Sequence, residues 1–212
     1  MIEEILGKNE ETLQKYLEDH NKILMATLGV PEYAYNFVIP KFSFGGKYQS
    51  DFLVFTGQSS SYWITLVELE AATRVIFTKN GGYAKYLNIA MRQVKEWKIW
   101  INENMECFRK LLYDSIRKQN CDFYDKFDFC RRFIISQVII IGRRNSLSKE
   151  DRARIAEEED NRIQIITYDR LVECEKRIEQ MRFHNFPFDR YHYDTLINDT
   201  SVHFDYPMDN VP

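Results

Sequence analysis

Two hydrophobic rhythms alternate along this chain, one returning every third or fourth residue and one nearly continuous over short runs. Over residues 9–24, "NEETLQKYLEDHNKIL" spaces Leu13, Tyr16, Leu17 and Ile23 as a helix would, behind Asn9, a residue suited to cap it. Pro31 and Pro40 bracket "EYAYNFVI", a short extended segment, and Gly45-Gly46 mark a turn. "DFLVF" (51–55) and "YWITLVELE" (62–70) are apolar runs joined by "TGQSSS", which predicts a hairpin. From Gly81-Gly82 a long helix runs to residue 104, with Leu87, Ala90, Met91, Val94, Trp97 and Ile101 on one stripe.

Residues 105–130 read as helical or mixed. "RFIISQVIIIG" (132–142) is apolar at nearly every position, the mark of a strand buried on both faces. A charged stretch over 143–162 predicts a loop and a solvated helix, "RIQIITY" (162–168) a strand, and "DRLVECEKRIEQMRF" a helix. Strands first cluster and then alternate with helices, which predicts an α/β fold with a mixed central sheet flanked by helices. One domain is expected over residues 1–182. The segment 183–212, rich in Tyr, Phe, His and Asp, is expected to be an irregular arm packing on the domain or on a second subunit.

Hydrophobic residues at 44% and charged residues at 29% fit a globular chain rather than a disordered one. A net charge of -3 gives no global attraction to nucleic acid, so any such surface must be local. The acidic N-terminus "MIEEILGKNEE" is not a secretory signal, and no run approaches the roughly 18 apolar residues of a membrane span. The expectation is a soluble cytoplasmic protein. Cys107, Cys121, Cys130 and Cys174 have no metal-site spacing and read as reduced thiols.

The second apolar run ends in two carboxylates, Glu68 and Glu70, on the same strand face. A turn centred on Ser59-Ser60 pairs Tyr62 with Gly57, Ile64 with Phe55, Leu66 with Leu53 and Glu68 with Asp51. Cross-strand Cβ atoms lie about 4.5–5.5 Å apart, so three carboxylates would crowd one strand end. Such crowding is costly unless protons or a cation neutralise it, and oxygen ligands of this kind suit a hard divalent ion. Metal-assisted hydrolysis of a phosphodiester is one chemistry open to that arrangement; a solvated glutamate pair on an edge strand is the other.

Taken together, "SDFLVF", "WITLVELE" and "AMRQVKEW" resemble the core of the PD-(D/E)xK nuclease superfamily, the restriction-endonuclease-like fold. More narrowly, their order is similar to the nuclease domain of the Shedu family of bacterial anti-phage defence proteins. The likeness runs from the first helix through "LVELEAA" and "IIIGRR" to "IQIITYDRL", roughly residues 9–180. It implies a core of order αβββαβ with an additional strand and helix, and a Mg²⁺-dependent DNA endonuclease in which Mn²⁺ would substitute. Asp51 matches the motif's aspartate and Glu68 its second acid. Glu70 stands where the family pattern most often has lysine, which leaves open whether it acts as base, as second-metal ligand or not at all.

The resemblance also implies a supporting role for Gln93, four residues before Trp97 on the long helix. Lys85 on that helix could supply the missing cation, or be merely solvated. Glu11 could reach the metal as an outer carboxylate, or be an exposed helix acid. A homo-oligomer acting on DNA is implied, with a catalytically silent DNA-binding or assembly module of the same fold as the alternative.

Arg143 and Arg144, after the interior strand, are the candidate DNA-backbone contacts; the competing expectation is a strand-end charge patch or salt bridges. His184, His192 and His203 show no ligand spacing and are expected to be packing or tail residues.

Overall fold

The computed structural model describes residues 1–30, 35–57, 60–119, 127–159 and 163–183, with backbone alone for 158, 159 and 181–183. Three helices open the chain: α1 (Ile2–Ile5), α2 (Glu10–Asp19) and α3 (Asn21–Thr27). Asn9 caps α2, its side-chain oxygen accepting the N–H of Thr12 at 3.0 Å. The single helix expected over 9–24 is instead broken at His20, whose φ of -126° and ψ of 47° leave the helical range. The local sequence Asp19-His20-Asn21 consists of weak helix formers. The bend lets Ile23 and Leu24 of α3 join Leu13 and Leu17 of α2 in one core.

Five strands follow: β1 (Tyr35–Phe44), β2 (Tyr48–Gly57), β3 (Ser61–Leu69), β4 (Arg132–Ile140) and β5 (Ile163–Ile166). They lie in the sheet in chain order. β1, β2 and β3 form an antiparallel meander, while β3, β4 and β5 run parallel. Parallel neighbours need crossover segments. α4 (Lys85–Glu103) and α5 (Met105–Gln119) make the first, and α6 (Lys149–Glu159) the second. The chain then enters α7 (Tyr168–Phe183). The hairpin register is the expected one, from Gly57↔Tyr62 to Phe52↔Val67. β1 is longer than the expected short segment because it runs through Pro40, which an edge strand tolerates.

Alternating side chains build a core on each face. Leu53, Phe55, Ile64, Leu66 and Ile139 pack with the predicted α4 stripe and with Phe108, Leu112 and Ile116 of α5. Phe52, Val54, Val67, Leu69, Val138 and Ile140 pack with Leu13 and Leu17 of α2 and Leu171 of α7. Over its last three residues β4 thus buries both faces, which accounts for the continuous apolar run that ends it.

The turn residue Ser59, Pro31, Cys121, His184, His192 and His203 lie outside the described residues, as does the expected arm from residue 184 onward. Among the described residues no helix is long and apolar enough to cross a membrane.

Candidate functional site

The site begins where two strands part. Pairing of β2 with β3 stops at Phe52↔Val67, although β3 continues beside β4 to Leu69↔Ile140. Asp51 fills the fork. Its Oδ2 accepts the backbone N–H of Leu69 at 2.7 Å, and its Oδ1 accepts a charged hydrogen bond from Lys41 Nζ at 2.6 Å. Its backbone carbonyl accepts a longer bond from Gln14 Nε2 of α2, at 3.4 Å. One residue beyond Leu69, the N–H of Glu70 donates to Ile140 O at 2.8 Å, fixing that residue just beyond the end of β3.

Crowding and burial show in the acids' proton affinities. Burial, then the charges of Asp51, Glu10 and Glu70, push the Glu68 carboxyl up to about 9 against the pull of Lys41. Burial and Glu10 push Glu70 up to about 7, opposed by Arg74. Glu10 is itself raised, by burial and by Asp51. Three glutamates around the fork are therefore raised, each by burial and by the charge of Asp51 among others. This is the electrostatic signature of a group that wants a proton or a cation.

Among these acids the first-helix member is Glu10, whereas the sequence pointed to Glu11. Glu10 leads the stripe Leu13, Gln14 and Leu17 that α2 buries; Glu11, one helical step round, is exposed. Likewise the cations acting on the acids are Lys41 and Arg74. Lys85 is exposed at the start of α4 with its Nζ 5.7 Å from the Tyr86 ring centre. Gln93 is half-buried on α4, on the side of the sheet that Glu68 shares with Leu66 by strand alternation.

Arg143 and Arg144 are drawn onto α7. Arg143 Nη2 pairs with Asp169 Oδ1 at 2.8 Å, and Arg144 Nη1 with Glu173 Oε1 at 2.7 Å. Burial works to raise Asp169, but hydrogen bonds from Arg143 and from the Arg144 backbone hold its carboxyl below the usual range. The salt-bridge expectation thus describes their placement.

Two further side chains border the acids. The Arg74 guanidinium lies 3.4 Å from the centre of the Tyr86 ring, and its buried Nε has no hydrogen-bond acceptor among the described residues. Tyr168 is fully buried at the start of α7, and its hydroxyl has no hydrogen-bond partner among the described residues. Burial, then the charges of Glu10, Asp51 and Glu70, push that phenol well above its ordinary range. Gly142 (φ 63°) joins the two: a Cβ there would meet Arg74 O at 2.6 Å, and its carbonyl accepts the Tyr168 N–H at 3.1 Å.

Of these unforeseen residues, Glu10 was readable from the α2 stripe. Lys41 was readable by counting back from the Gly45-Gly46 turn, since Phe44↔Tyr48 pairing sets Lys41 opposite Asp51. Arg74 and Tyr168 depend on contacts between distant segments and left no local signal.

The donors fit a hard divalent cation in chemistry, because all are oxygens and a cation would relieve their repulsion. Their present spacing is another matter. Among the described residues no three His, Cys, Asp or Glu side chains are grouped closely enough to hold a metal. Each oxygen of Asp51 already accepts one hydrogen bond, and a cation at Oδ1 would compete with the Lys41 ammonium there.

A mixed five-stranded sheet between helical layers, with buried carboxylates at a strand fork, defines an α/β domain carrying an acidic site. Compared with known families, residues 7–172 match the one described as Shedu protein SduA, C-terminal, and the chain belongs to that family. The family is associated with anti-phage defence. No curated protein matches the chain.

Proposed function

We propose that this domain is a metal-dependent DNA endonuclease of the PD-(D/E)xK type acting in anti-phage defence. What supports a hydrolytic role is the burial of Glu68 and Glu70 within the field of Glu10 and Asp51 at the fork: burial first, and then those charges, pushes Glu68 up to about 9 and Glu70 up to about 7. Asp51 and Glu68 would hold the cation, with Glu10 as the outer acid. Mg²⁺, for which Mn²⁺ would substitute, supplies positive charge to a phosphoryl oxygen and makes water a better nucleophile. Glu70 would take the proton from the attacking water, since a carboxylate with affinity near neutrality is matched to that task. Gln93, approaching from α4, would help orient the site. Action as a homo-oligomer on duplex DNA belongs to the same proposal.

Cleavage of linear and circular DNA, with Mg²⁺ and with Mn²⁺, tests this directly. The wild-type protein should cut, and Asp51→Asn and Glu68→Gln should not. A silent DNA-binding or assembly module is the second reading, favoured by the Lys41–Asp51 ion pair standing where a cation would bind. DNA binding without cleavage under every metal condition would select it.

A further inference from the structure

Lys41 combines three features that a plain ion pair does not require. It lies cross-strand from Asp51, between the paired rows Pro40↔Phe52 and Phe42↔Ser50, yet the ladder skips it. Its φ of 47° is the single positive value at a non-glycine among the described residues, a conformation that L side chains adopt only under constraint. Its side chain is 50% exposed, whereas that of Asp51 is 9% exposed. Lys41 can therefore leave without opening the core, while Asp51 cannot follow. Loss of Lys41 would leave the buried Asp51 carboxylate without a counter-ion, which is costly unless another cation replaces it.

The charge balance points the same way. Lys41 acts on Glu68 and Glu10 as well as on Asp51, so a single ammonium partly offsets three acids. A flexible four-carbon stem on an edge strand can turn a compact charge from one oxygen to another.

We infer that Lys41 is an exchangeable counter-ion: its ammonium holds Asp51 Oδ1 until a divalent cation takes that oxygen, and the released ammonium then contacts a backbone phosphate of the DNA. This builds on the proposed hydrolytic role. No bond is made or broken; one cation replaces another at a carboxylate, and the ammonium keeps its protons throughout. Metal and phosphate binding become coupled, because filling Asp51 is what frees Lys41.

Calorimetric titration of Mn²⁺ into the full chain tests the exchange, alongside the binding of a labelled DNA duplex in Ca²⁺. Lys41→Met should bind Mn²⁺ about tenfold more tightly than wild type, since its competitor is gone. It should also bind the duplex several-fold more weakly, with Lys41→Arg restoring DNA affinity. Wild-type binding of Mn²⁺ with no gain in Lys41→Met would reduce Lys41 to a structural tie and overturn the inference alone. No Mn²⁺ binding by either protein would overturn it together with the hydrolytic role. A readout that needs no Lys41→Met protein is the ¹³C resonance of reductively methylated Lys41, assigned by its loss in Lys41→Arg. In the wild-type chain it should move on adding Mg²⁺; a fixed resonance would also overturn the inference.

Discussion

Asp51 Oδ2 accepts the backbone N–H of Leu69 at 2.7 Å, so one side chain both terminates the β2–β3 ladder and carries the charge of the site. Two roles in one residue make alanine a poor probe. Asp51→Ala leaves a buried N–H without an acceptor, which costs about 1–3 kcal/mol. Asp51→Asn keeps an oxygen in place while removing the charge. Thermal denaturation should therefore show a clear drop for Asp51→Ala and a small change for Asp51→Asn, with both losing Mn²⁺ binding in calorimetry.

Stability of the metal-free protein should fall as pH rises. Glu68 and Glu70 have folded values of about 9 and about 7, above the ordinary 4.5. Between 4.5 and those values the folded state holds protons that the unfolded chain has released, so each unit of pH lowers the unfolding free energy. Melting temperatures without metal should decline from pH 5.5 to 9 and level off beyond. Glu68→Gln should flatten the decline and stabilise the metal-free protein at pH 8 by on the order of 2 kcal/mol. A profile that is flat for wild type would contradict the burial and crowding seen around Glu68.

The arginines after β4 offer a separation of stability from DNA affinity. Arg143 and the Arg144 N–H both serve Asp169. Arg143→Ala should cost about 1 kcal/mol in chemical denaturation, and Arg144→Ala, whose pair is more exposed, less than about 0.5 kcal/mol. Because both guanidinium groups are held by α7, either change should alter duplex affinity less than about threefold. A much larger loss would show that the ion pairs open for DNA.

Gly142→Ala probes the loop that carries Arg74. The added Cβ would sit 2.6 Å from Arg74 O in a left-handed backbone position. Strain and clash together should destabilise the fold by about 1–3 kcal/mol. Denaturant unfolding measures the cost, and fluorescence of Tyr86, on which Arg74 stacks, reports displacement of the loop.

What sequence could reveal here follows the range of the interaction concerned. The α4 stripe and the β2–β3 register were legible because both come from periodicity within a short segment. The same register carried Asp51 and Glu68 to the strand end, although the ladder itself stops one row earlier, at Phe52↔Val67. The break at His20 was not legible, since the bend is stabilised by packing of α3 in a core its own spacing does not describe. Glu10 lies on the buried side of α2 that the apolar stripe already marks, whereas Glu11 is exposed. Counting back from the Gly45-Gly46 turn sets Lys41 opposite Asp51, but its positive φ is a backbone angle no pattern encodes. For Arg143 and Arg144 the sequence left backbone contacts and salt bridges both open, because the partners that hold them, Asp169 and Glu173, lie more than twenty residues on.

Pro40 sits beside Lys41 on the outermost strand of the sheet. Proline has no amide hydrogen to offer a neighbour, and the left-handed residue after it spoils the straight rail that an incoming strand would need. Part of what remains is blunted too, for Gln119 of α5 donates its amide to Val38 O at 3.3 Å. The same two residues that place a charge in the fork therefore guard the open margin of the domain against strand addition and fibre growth.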